Sequence, residues 1–473
     1  MSILLEVSPK LRPPLDPGFL PASLWNRAFR TAVRHSGEGQ DLAVALERAD
    51  GSISVFRTVV FPDEGAWAAL NELYVERLLK FLLWQRGGCK VTLAGDPRVA
   101  AFLRQVYSPA GRRAFDYDFM GERIYGRPMV IEQTRFERAP AEQESATALG
   151  RHLGGCRIGF DLGGSDRKCA ALIDGEVVHS EEVVWDPYFQ KDPQYHFDGI
   201  NDTLRRAATH LPRVDAIGGS AAGVYVNNEV RAASLFRGVP PELFHSRVRR
   251  LFFELQQAWD GVPFVVVNDG EVTALAGSMA LNANAVLGVS MGTSQAGGYV
   301  TPQGNITGWL NELAFVPVDY RPGAPVDEWS GDAGAGVQYF SQQAVGRLLG
   351  PAGIELPGAM PLAEKLAGTQ WLMDRGDERA RRVFETIGIY FGYTVAHYAE
   401  FYELRHVLVL GRVMSGEGGN VILAAARRVL NEEFPELAES IKLHLPGEKD
   451  KRHGQAVAAA SLPEIRRPLE TQR

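Results

Sequence analysis

Residues 158–165 read Ile-Gly-Phe-Asp-Leu-Gly-Gly-Ser, a short apolar segment that delivers an aspartate into a turn of two glycines and a hydroxyl. Because glycine has no Cβ, the backbone N–H groups of Gly163 and Gly164 can close around a phosphate. Ser165 adds a hydroxyl donor, and Asp161 could hold a phosphate-bound Mg²⁺, which prefers oxygen ligands. The same pattern also fits a plain β-hairpin with a buried or turn-capping aspartate, so taken alone it leaves both interpretations open.

A second strand-and-glycine pattern lies farther along the chain, where an apolar strand over 285–289 runs into Gly292, Thr293 and Ser294. Its small residues predict another turn whose N–H groups could hold phosphate, although a glycine-rich hairpin fits as well. Two such turns, each after an apolar strand, favour the phosphate interpretation, and their recurrence hints at two related lobes.

The third pattern is an apolar strand over 264–267 that ends at Asn268 and Asp269, with a predicted helix over 270–281 behind it. An aspartate at the carboxyl end of a strand is well placed to act as a general base toward a hydroxyl nucleophile. Asn and Asp are also preferred helix N-caps, so the spacing leaves a purely structural role open.

The fourth pattern is a strand over 407–410, followed by Gly411 and then by Gly418 and Gly419 at the start of a helix. Glycines at a helix start permit close approach by adenine or phosphate, although a strand-to-helix loop explains them too. The chain contains neither a P-loop lysine pattern nor G-x-G-x-x-G, so a Walker or Rossmann site is not supported.

Composition excludes several classes of protein. The 473 residues are 45% hydrophobic and 23% charged, the balance of a globular chain of two or three domains. The net charge of −7, with no basic stripe, argues against nucleic-acid and anionic-membrane binding. Three cysteines supply neither a disulfide framework nor a paired zinc motif, and we find no signal peptide and no apolar run of membrane-spanning length. These features predict a soluble, cytoplasmic protein without nucleic-acid or membrane partners.

Patterning outside the four segments predicts further elements. Residues 1–22 are rich in proline and are expected to form an extended arm, and Asp50-Gly51 predicts a hairpin between strands at 42–46 and 53–60. Apolar periodicity predicts the remaining elements, which are a helix over 66–83, a strand over 90–94, an amphipathic helix over 248–259 and a buried helix over 384–401.

In this order the four segments resemble the nucleotide-binding signature of the actin, sugar kinase and Hsp70 superfamily, and most closely that of the ROK (repressor, open reading frame, kinase) family. The likeness spans about residues 154–465. It implies an α/β chain with the two-lobed actin-like ATPase (ribonuclease H-like) fold and an extra N-terminal α/β domain. The expected divisions are an accessory domain at 1–140, a linker at 141–153, a small lobe at 154–270 and a large lobe at 271–473.

The resemblance also implies a role for each motif. ATP with Mg²⁺ would lie between the lobes, with Asp161 as the metal-binding residue and with phosphate ligands at Gly163, Gly164, Ser165, Gly292, Thr293 and Ser294. Asp269 would be the catalytic base and Asn268 a sugar ligand. The adenosine pocket would be lined by Gly411, Gly418 and Gly419, and residues 453–456 resemble the start of the closing C-terminal helix of the large lobe.

The sugar-binding segment departs from the family pattern. Glu312 is retained as a candidate sugar ligand, but Phe315 stands where the family has a histidine that also binds zinc. The family's downstream cysteine cluster corresponds here to residues 328–335, which contain no cysteine. No zinc site is therefore expected, and the loop must be held by other packing. Because Phe315 cannot hydrogen-bond a hydroxyl group, the identity of the substrate stays open.

The combined pattern predicts an ATP-dependent kinase that phosphorylates a hydroxyl group of a sugar or sugar-like substrate, with ATP and Mg²⁺ as cofactors. Two alternatives remain: a non-catalytic protein that senses a sugar or nucleotide, and an ATPase that acts on a partner protein. The N-terminal residues show no basic recognition helix, so DNA binding is not expected. A homodimer is expected from the resemblance alone, and the sequence assigns no role to residues 1–140.

Overall fold

The computed structural model describes residues 5, 7–62, 67–144, 149–446 and 454–465. The chain divides into two compact units. Unit 1 consists of residues 1–145, 289–297 and 309–445, and unit 2 consists of residues 146–288, 298–308 and 446–473. None of the helices in the described ranges is long and apolar enough to cross a membrane.

The N-terminal part of unit 1 is a four-stranded sheet with helices. Strands β1 (Gln40–Glu47) and β2 (Ile53–Val60) form the predicted antiparallel hairpin around Asp50-Gly51, and β3 (Lys90–Ala94) has the predicted bounds. With β4 (Val130–Thr134) the sheet order is β2-β1-β3-β4. The helices of this part are α1 (Ala22–Ser36), α2 (Ala68–Arg86), α3 (Pro97–Val106) and α4 (Ala114–Asp118).

Of the first two N-terminal helices, one was predicted from the sequence and one was not. Helix α2 corresponds to the helix predicted over 66–83, whose first residue, Ala66, lies outside the described residues. Helix α1 was not predicted, although its buried face carries Trp25, Phe29 and Val33. This spacing of four residues indicates one apolar helix face and was available in the sequence.

Unit 2 contains a five-stranded mixed sheet of order β11-β8-β5-β6-β7. Strand β5 pairs in parallel with β8, which pairs in parallel with β11, whereas β6 and β7 add on in antiparallel fashion. The strands are β5 (Cys156–Leu162), β6 (Asp166–Ile173), β7 (Glu176–Val184), β8 (Ala216–Ala221) and β11 (Phe264–Asn268), with a separate hairpin of β9 (Val224–Val226) and β10 (Glu229–Ala232). The helices are α5 (Pro193–Ala208), α6 (Pro241–Ser246), α7 (Leu251–Ala258) and α8 (Asp269–Leu281).

The amphipathic helix predicted over 248–259 is a 3₁₀ turn, Val248–Arg250, that continues into α7. Its apolar stripe is confirmed, because Val248, Leu251, Phe252 and Leu255 are all at most 2% exposed in the core of unit 2.

The remaining elements complete both units. Strands β12 (Val286–Met291) and β13 (Gln295–Val300) follow α8 and belong to a sheet of order β13-β12-β14-β15. The later elements are α9 (Gln342–Leu349), α10 (Leu362–Met373), α11 (Glu378–Tyr398), β14 (His406–Leu410), α12 (Glu417–Glu433), α13 (Pro435–Ser440), β15 (Lys442–His444) and α14 (Gly454–Ala460). Helix α11 is the predicted buried helix, with an unbroken run of buried residues from Thr386 to Tyr398.

The residue ranges of the two compact units differ from those of the predicted domains. Residues 1–145 share a unit with residues 309–445 instead of forming a unit of their own, because they pack extensively against them. The chain enters unit 2 between residues 145 and 146, inside the predicted linker, of which residues 145–148 lie outside the described ranges. The division into accessory domain, small lobe and large lobe stays a prediction.

Helix α14 closes over the sheet of unit 2, and two glycines make room for it. A Cβ on Gly159 of β5 would lie 1.7 Å from the carbonyl oxygen of Ala456, and one on Gly218 of β8 would lie 1.7 Å from that of Ala459. The close packing of α14 therefore explains why residue 159, in the first sequence motif, is a glycine. The first residue of the predicted closing segment, His453, lies outside the described residues.

We expect Gly218→Ala to lower the free energy of unfolding by about 2–3 kcal/mol, since the added methyl group can be accommodated only if α14 moves off the sheet. Gly154→Ala is the matched control, because Gly154 lies in the same unit and has open space where its Cβ would be. Urea denaturation of both variants tests this. Equal stabilities would show that α14 does not pack on β8.

Candidate active site

The carboxyl ends of three parallel strands bring the polar residues of unit 2 together. Asp161 on β5 is in register with Ser220 on β8, which is in register with Val267 on β11. Asn268 and Asp269 follow directly, at the end of β11 and the start of α8. The first and third sequence motifs therefore lie at the same edge of one sheet.

Asp161 is a buried carboxylate, 8% exposed, whose Oδ1 accepts a hydrogen bond of 2.6 Å from the Ser220 hydroxyl. Burial raises the pKa of Asp161, and the Ser220 hydrogen bond and the charge of Lys168 partly offset that rise. Ser220 was not predicted as a site residue, although its position at the end of an apolar strand is a usable signal.

Asp269 is the first residue of α8. Burial and then the nearby negative charge of Asp161 raise the pKa of Asp269 to about 6. A carboxylate with a pKa this close to neutrality can accept a proton during a reaction and release it afterward. Two carboxylates whose charges destabilise each other at one sheet edge are an arrangement found at catalytic sites.

Asn268 has the structural role that the sequence left open. It is the N-cap of α8, with its Oδ1 accepting a hydrogen bond of 2.7 Å from the Gly270 amide. Its Nδ2 donates to the carbonyl oxygen of Gly223 at 2.7 Å. Asn268 thus fixes both the start of α8 and the loop after β8. The Oδ1 and Nδ2 atoms of its side chain can each form a further hydrogen bond with a substrate.

The first phosphate turn, Gly163–Ser165, connects β5 and β6. The Gly163 amide donates to the carbonyl oxygen of Asp166 at 2.9 Å, and the Ser165 hydroxyl donates to the Asp166 carboxylate at 2.9 Å. Gly164 lies against Tyr188, whose hydroxyl would be 2.0 Å from an added Cβ. The turn therefore requires a residue without a side chain at Gly164.

Sequence reasoning missed two charged residues beside this turn. The carboxylate of Asp166 would repel a phosphate, but the Lys168 ammonium lies 3.2 Å from it and offsets its charge. Lys168 is also directly opposite Asp161 in the β5–β6 pair, so the two side chains lie on the same face of the sheet.

The predicted second phosphate turn and Gly411, one of the glycines predicted to line the adenosine pocket, lie together in unit 1. The Gly292 amide donates to the Ser294 carbonyl oxygen at 2.9 Å, and Thr293 and Ser294 are exposed. Gly411, with φ of 101°, lies against the backbone of Met291, and a Cβ there would be 2.4 Å from the Met291 carbonyl oxygen. The two motifs are thus adjacent.

Packing against neighbouring residues explains the glycines at 418 and 419 without any bound nucleotide. A Cβ on Gly418 would lie 2.8 Å from the ring of Phe384 on α11, and one on Gly419 would lie 2.2 Å from the Met414 carbonyl oxygen. These glycines let the first turn of α12 approach its neighbours. Their role in an adenosine pocket stays a prediction.

The segment that carries Glu312 is held by α2. The amide of Glu312 donates to the carbonyl oxygen of Trp84 at 3.0 Å, and the amide of Asn311 donates to that of Gln85 at 2.8 Å. The ring of Phe315 packs on Trp84 with centroids 4.2 Å apart. The residue that replaces the family's histidine is therefore part of an aromatic contact with the N-terminal residues, which sequence reasoning did not connect to the site.

The loop at 328–335 is held by ion pairs. Asp332, 4% exposed, accepts hydrogen bonds from Arg77 at 3.2 Å and pairs with Arg113, and Lys80 lies 3.5 Å away. Burial favours the neutral acid, but the positive charges of Lys80, Arg77 and Arg113 hold the pKa of Asp332 at about 2. This is the other packing that the missing cysteines led us to expect.

The predicted residues are thus distributed over both units. Unit 2 contains Asp161, Gly163, Gly164, Ser165, Asn268 and Asp269. Unit 1 contains Gly292, Thr293, Ser294, Glu312, Gly411, Gly418 and Gly419.

Comparison with known proteins gives a fold but no sequence relative. No family model matches the chain, and no curated protein resembles it in sequence. A ROK hexokinase from Thermus thermophilus superposes with a TM-score of 0.51 at 20% identity, over 65% of this chain and 97% of the hexokinase. A ROK-family transcriptional regulator, a homologue of the E. coli MLC protein, gives a TM-score of 0.52 at 18% identity, over 66% of this chain and 79% of the regulator.

These similarities confirm the predicted fold class, an α/β chain with the actin-like ATPase fold. Within that class the chain has the fold of ROK proteins, so the resemblance seen in the sequence is confirmed at the level of the fold. That fold occurs both in a sugar kinase and in a regulator of transcription.

Proposed function

We propose that this chain is a ROK-family kinase that transfers the γ-phosphoryl group of ATP to a hydroxyl group of a sugar or sugar-like substrate. The observation that carries the proposal is Asp269, a carboxylate with a pKa near 6 at the carboxyl edge of a parallel sheet, beside Asp161. The likeness in fold to a ROK hexokinase supports it.

Phosphoryl transfer asks the protein chiefly to position the reactants and to neutralise charge. In the proposed reaction, Asp269 accepts the proton of the substrate hydroxyl as its oxygen attacks the γ-phosphorus, and ADP leaves. Asn268 and Glu312 orient the substrate. The turns Gly163–Ser165 and Gly292–Ser294 would donate to the phosphates from backbone N–H groups other than those of Gly163 and Gly292, which already donate to the carbonyl oxygens of Asp166 and Ser294.

Asp161 fits a magnesium-binding role. It is an oxygen ligand whose burial, together with the nearby charge of Asp166, disfavours its own negative charge, so a divalent cation would be stabilising there. Mg²⁺ bound with ATP would supply neutralisation of the phosphate charge. Ser220 holds the Asp161 side chain in place through its hydroxyl.

The second candidate function is a non-catalytic sugar- or nucleotide-sensing protein. The fold shared with a ROK transcriptional regulator and the aromatic Phe315 in the sugar-binding segment favour it. The two functions differ in whether ATP is consumed.

The test is coupled ADP release with Mg²⁺-ATP across hexoses, amino sugars, sugar acids and polyols. We expect turnover with one class of acceptor and little without any acceptor. ATP binding without turnover for any acceptor would favour the sensor. ATP hydrolysis that needs no acceptor and rises with a protein partner would favour an ATPase.

The pH dependence of this reaction follows from Asp269. Because a general base must be ionised, we expect kcat/KM to fall about tenfold per pH unit below pH about 6 and to be level above it. The measurement is kcat/KM for the acceptor between pH 4.5 and 8 at saturating Mg²⁺-ATP, values chosen roughly to bracket that pKa. A profile still level at pH 5, about one unit lower, would contradict Asp269 as the base.

A further inference from the structure

Arg86, the last residue of α2, has a buried guanidinium that forms no ion pair with any residue that the structure describes. The residue is 8% exposed, and its Nε and Nη1 have no hydrogen-bond partner in the described part of the chain. Within the described ranges of the chain it takes part in no ion pair. Its close contact is with the ring of Trp309, whose centroid lies 4.8 Å from the guanidinium carbon.

Three other arginines of unit 1, each at most 14% exposed, pair with a carboxylate. Arg48 pairs with Glu144, Arg77 with Asp332, and Arg113 with Glu76. A buried charge is normally paired, because its desolvation is costly. Arg86 departs from this rule, and burial lowers the pKa of its guanidinium accordingly.

Neighbouring carboxylates do not supply the missing partner. Glu144 is already bound to Arg48 and to the Ser54 hydroxyl. Glu142 is exposed, so solvent screens its charge. Arg48 adds a second positive charge, and it donates to the carbonyl oxygen of Arg86 at 3.5 Å.

Arg86 lies beside the segment that carries the candidate sugar ligand. The residues on either side of it contact that segment: Gln85 accepts from the Asn311 amide, and a Cβ on Gly87 would be 3.0 Å from the Leu310 side chain. Trp309, the stacking partner of Arg86, begins the segment and Glu312 ends it. The Arg86 guanidinium and Glu312 therefore lie in the same region of unit 1.

We propose that Arg86 binds an anionic group, a carboxylate or a phosphate, on the phosphoryl acceptor, so that the substrate is an acidic sugar and not a neutral one. Guanidinium–carboxylate and guanidinium–phosphate contacts are among the stronger hydrogen bonds in proteins. The inference rests on the proposed kinase function for the identity of the acceptor, but binding of the anion can be measured without turnover.

The experiment compares sugars that differ in charge. Glucose is set against glucuronate, gluconate and glucose 6-phosphate, which separates carboxylate from phosphate. Binding is measured by calorimetry without ATP, and turnover by ADP release with Mg²⁺-ATP. The variant is Arg86→Gln, and Arg375→Gln is its matched control, because Arg375 stacks on Trp371 in the same unit at 3.6 Å but is exposed.

We expect at least one acidic sugar to bind more tightly than glucose. Arg86→Gln should weaken that binding, and raise the corresponding KM, by about 10- to 100-fold, the usual range for a lost charged hydrogen bond, with a smaller effect on kcat. The binding of glucose should be unchanged in Arg86→Gln. The Arg375→Gln variant should bind the acidic sugar as tightly as the wild-type protein does. The melting temperature of ligand-free Arg86→Gln should be unchanged or higher, since an uncompensated buried charge is removed.

The outcomes separate this inference from the kinase proposal. Turnover of neutral sugars alone, with Arg86→Gln unaffected, overturns the inference and retains the kinase. Binding of an acidic sugar that depends on Arg86 but consumes no ATP retains the inference and overturns the kinase. A lower melting temperature for Arg86→Gln with no change in anion preference, or a change in KM for ATP alone, overturns the inference.

Discussion

Asp269→Asn is expected to reduce the rate of phosphoryl transfer by about 10³-fold while ATP binding is retained, because the amide cannot accept the hydroxyl proton. The replacement preserves size, and an amide oxygen can still accept the 3.0 Å hydrogen bond that the Gly270 amide donates to Oδ1 of Asp269. It also removes the negative charge that opposes Asp161, so we expect the fold to be retained. ADP release and equilibrium dialysis with ATP provide the two readouts.

Asp260→Asn is the matched control for this variant. Asp260 lies in the same unit, is exposed and has φ of 54°, a conformation that asparagine tolerates. We expect wild-type rates. If Asp269→Asn kept full turnover, Asp269 would be only the first residue of α8. A sensor would show no turnover in any variant and an unchanged ligand response in Asp269→Asn.

Asp332→Asn is expected to lower the free energy of unfolding by about 3–5 kcal/mol, because it leaves buried positive charge without its carboxylate. The cluster around Asp332 is balanced, with acids Glu76, Asp116 and Asp332 and bases Arg77, Lys80 and Arg113, each at most 14% exposed. Lys80 retains Asp116 at 2.9 Å, so Arg77 and Arg113 are the residues most affected. Urea denaturation measures the loss.

Asp327→Asn serves as the control in the same loop. Asp327 is equally buried, at 4% exposed, but it accepts hydrogen bonds from Ser330, at 2.8 Å and 2.7 Å, that an amide oxygen can also accept. The double variant Asp332→Asn, Arg77→Met should recover part of the loss, since it restores the charge balance. Equal stabilities of Asp332→Asn and Asp327→Asn would show that the ion pairs do not hold the loop.

The same cluster has a definite pH dependence. Because the folded-state pKa of Asp332 is about 2, below its ordinary value, its contribution to stability is present above pH about 4 and is lost as the pH falls toward 2. In Asp332→Asn this part of the acid dependence should be absent.

Much of the site could be predicted because its signals are local. Asp161, Gly163 and Gly164 belong to one strand and the turn that follows it, and Asp269 comes directly after the end of another strand. Strand patterns and turn chemistry therefore suffice to place these residues. Once β5, β8 and β11 lie parallel in one sheet, their carboxyl ends lie at the same edge, which brings Asp161 and Asp269 to that edge.

Other site features depend on contacts between residues far apart in the chain. No local sequence pattern indicates the backbone hydrogen bond from Glu312 to Trp84 or the ion pair between Asp332 and Arg77. Gly418 shows the converse, since its sequence context suggested a ligand whereas its neighbour is the ring of Phe384.

The sequence by itself determined the strand–turn motifs and the carboxylates at their ends, because steric and hydrogen-bonding preferences act over a few neighbouring residues. The actin-like ATPase fold was predicted from the family resemblance that these motifs carry. Only the tertiary structure decided which residues replace the missing cysteine cluster, and that Arg86 is buried against Trp309 with no ion-pair partner among the described residues. The physical reason is that burial and charge pairing are properties of residues brought together from distant parts of the chain, and they have no counterpart in local spacing.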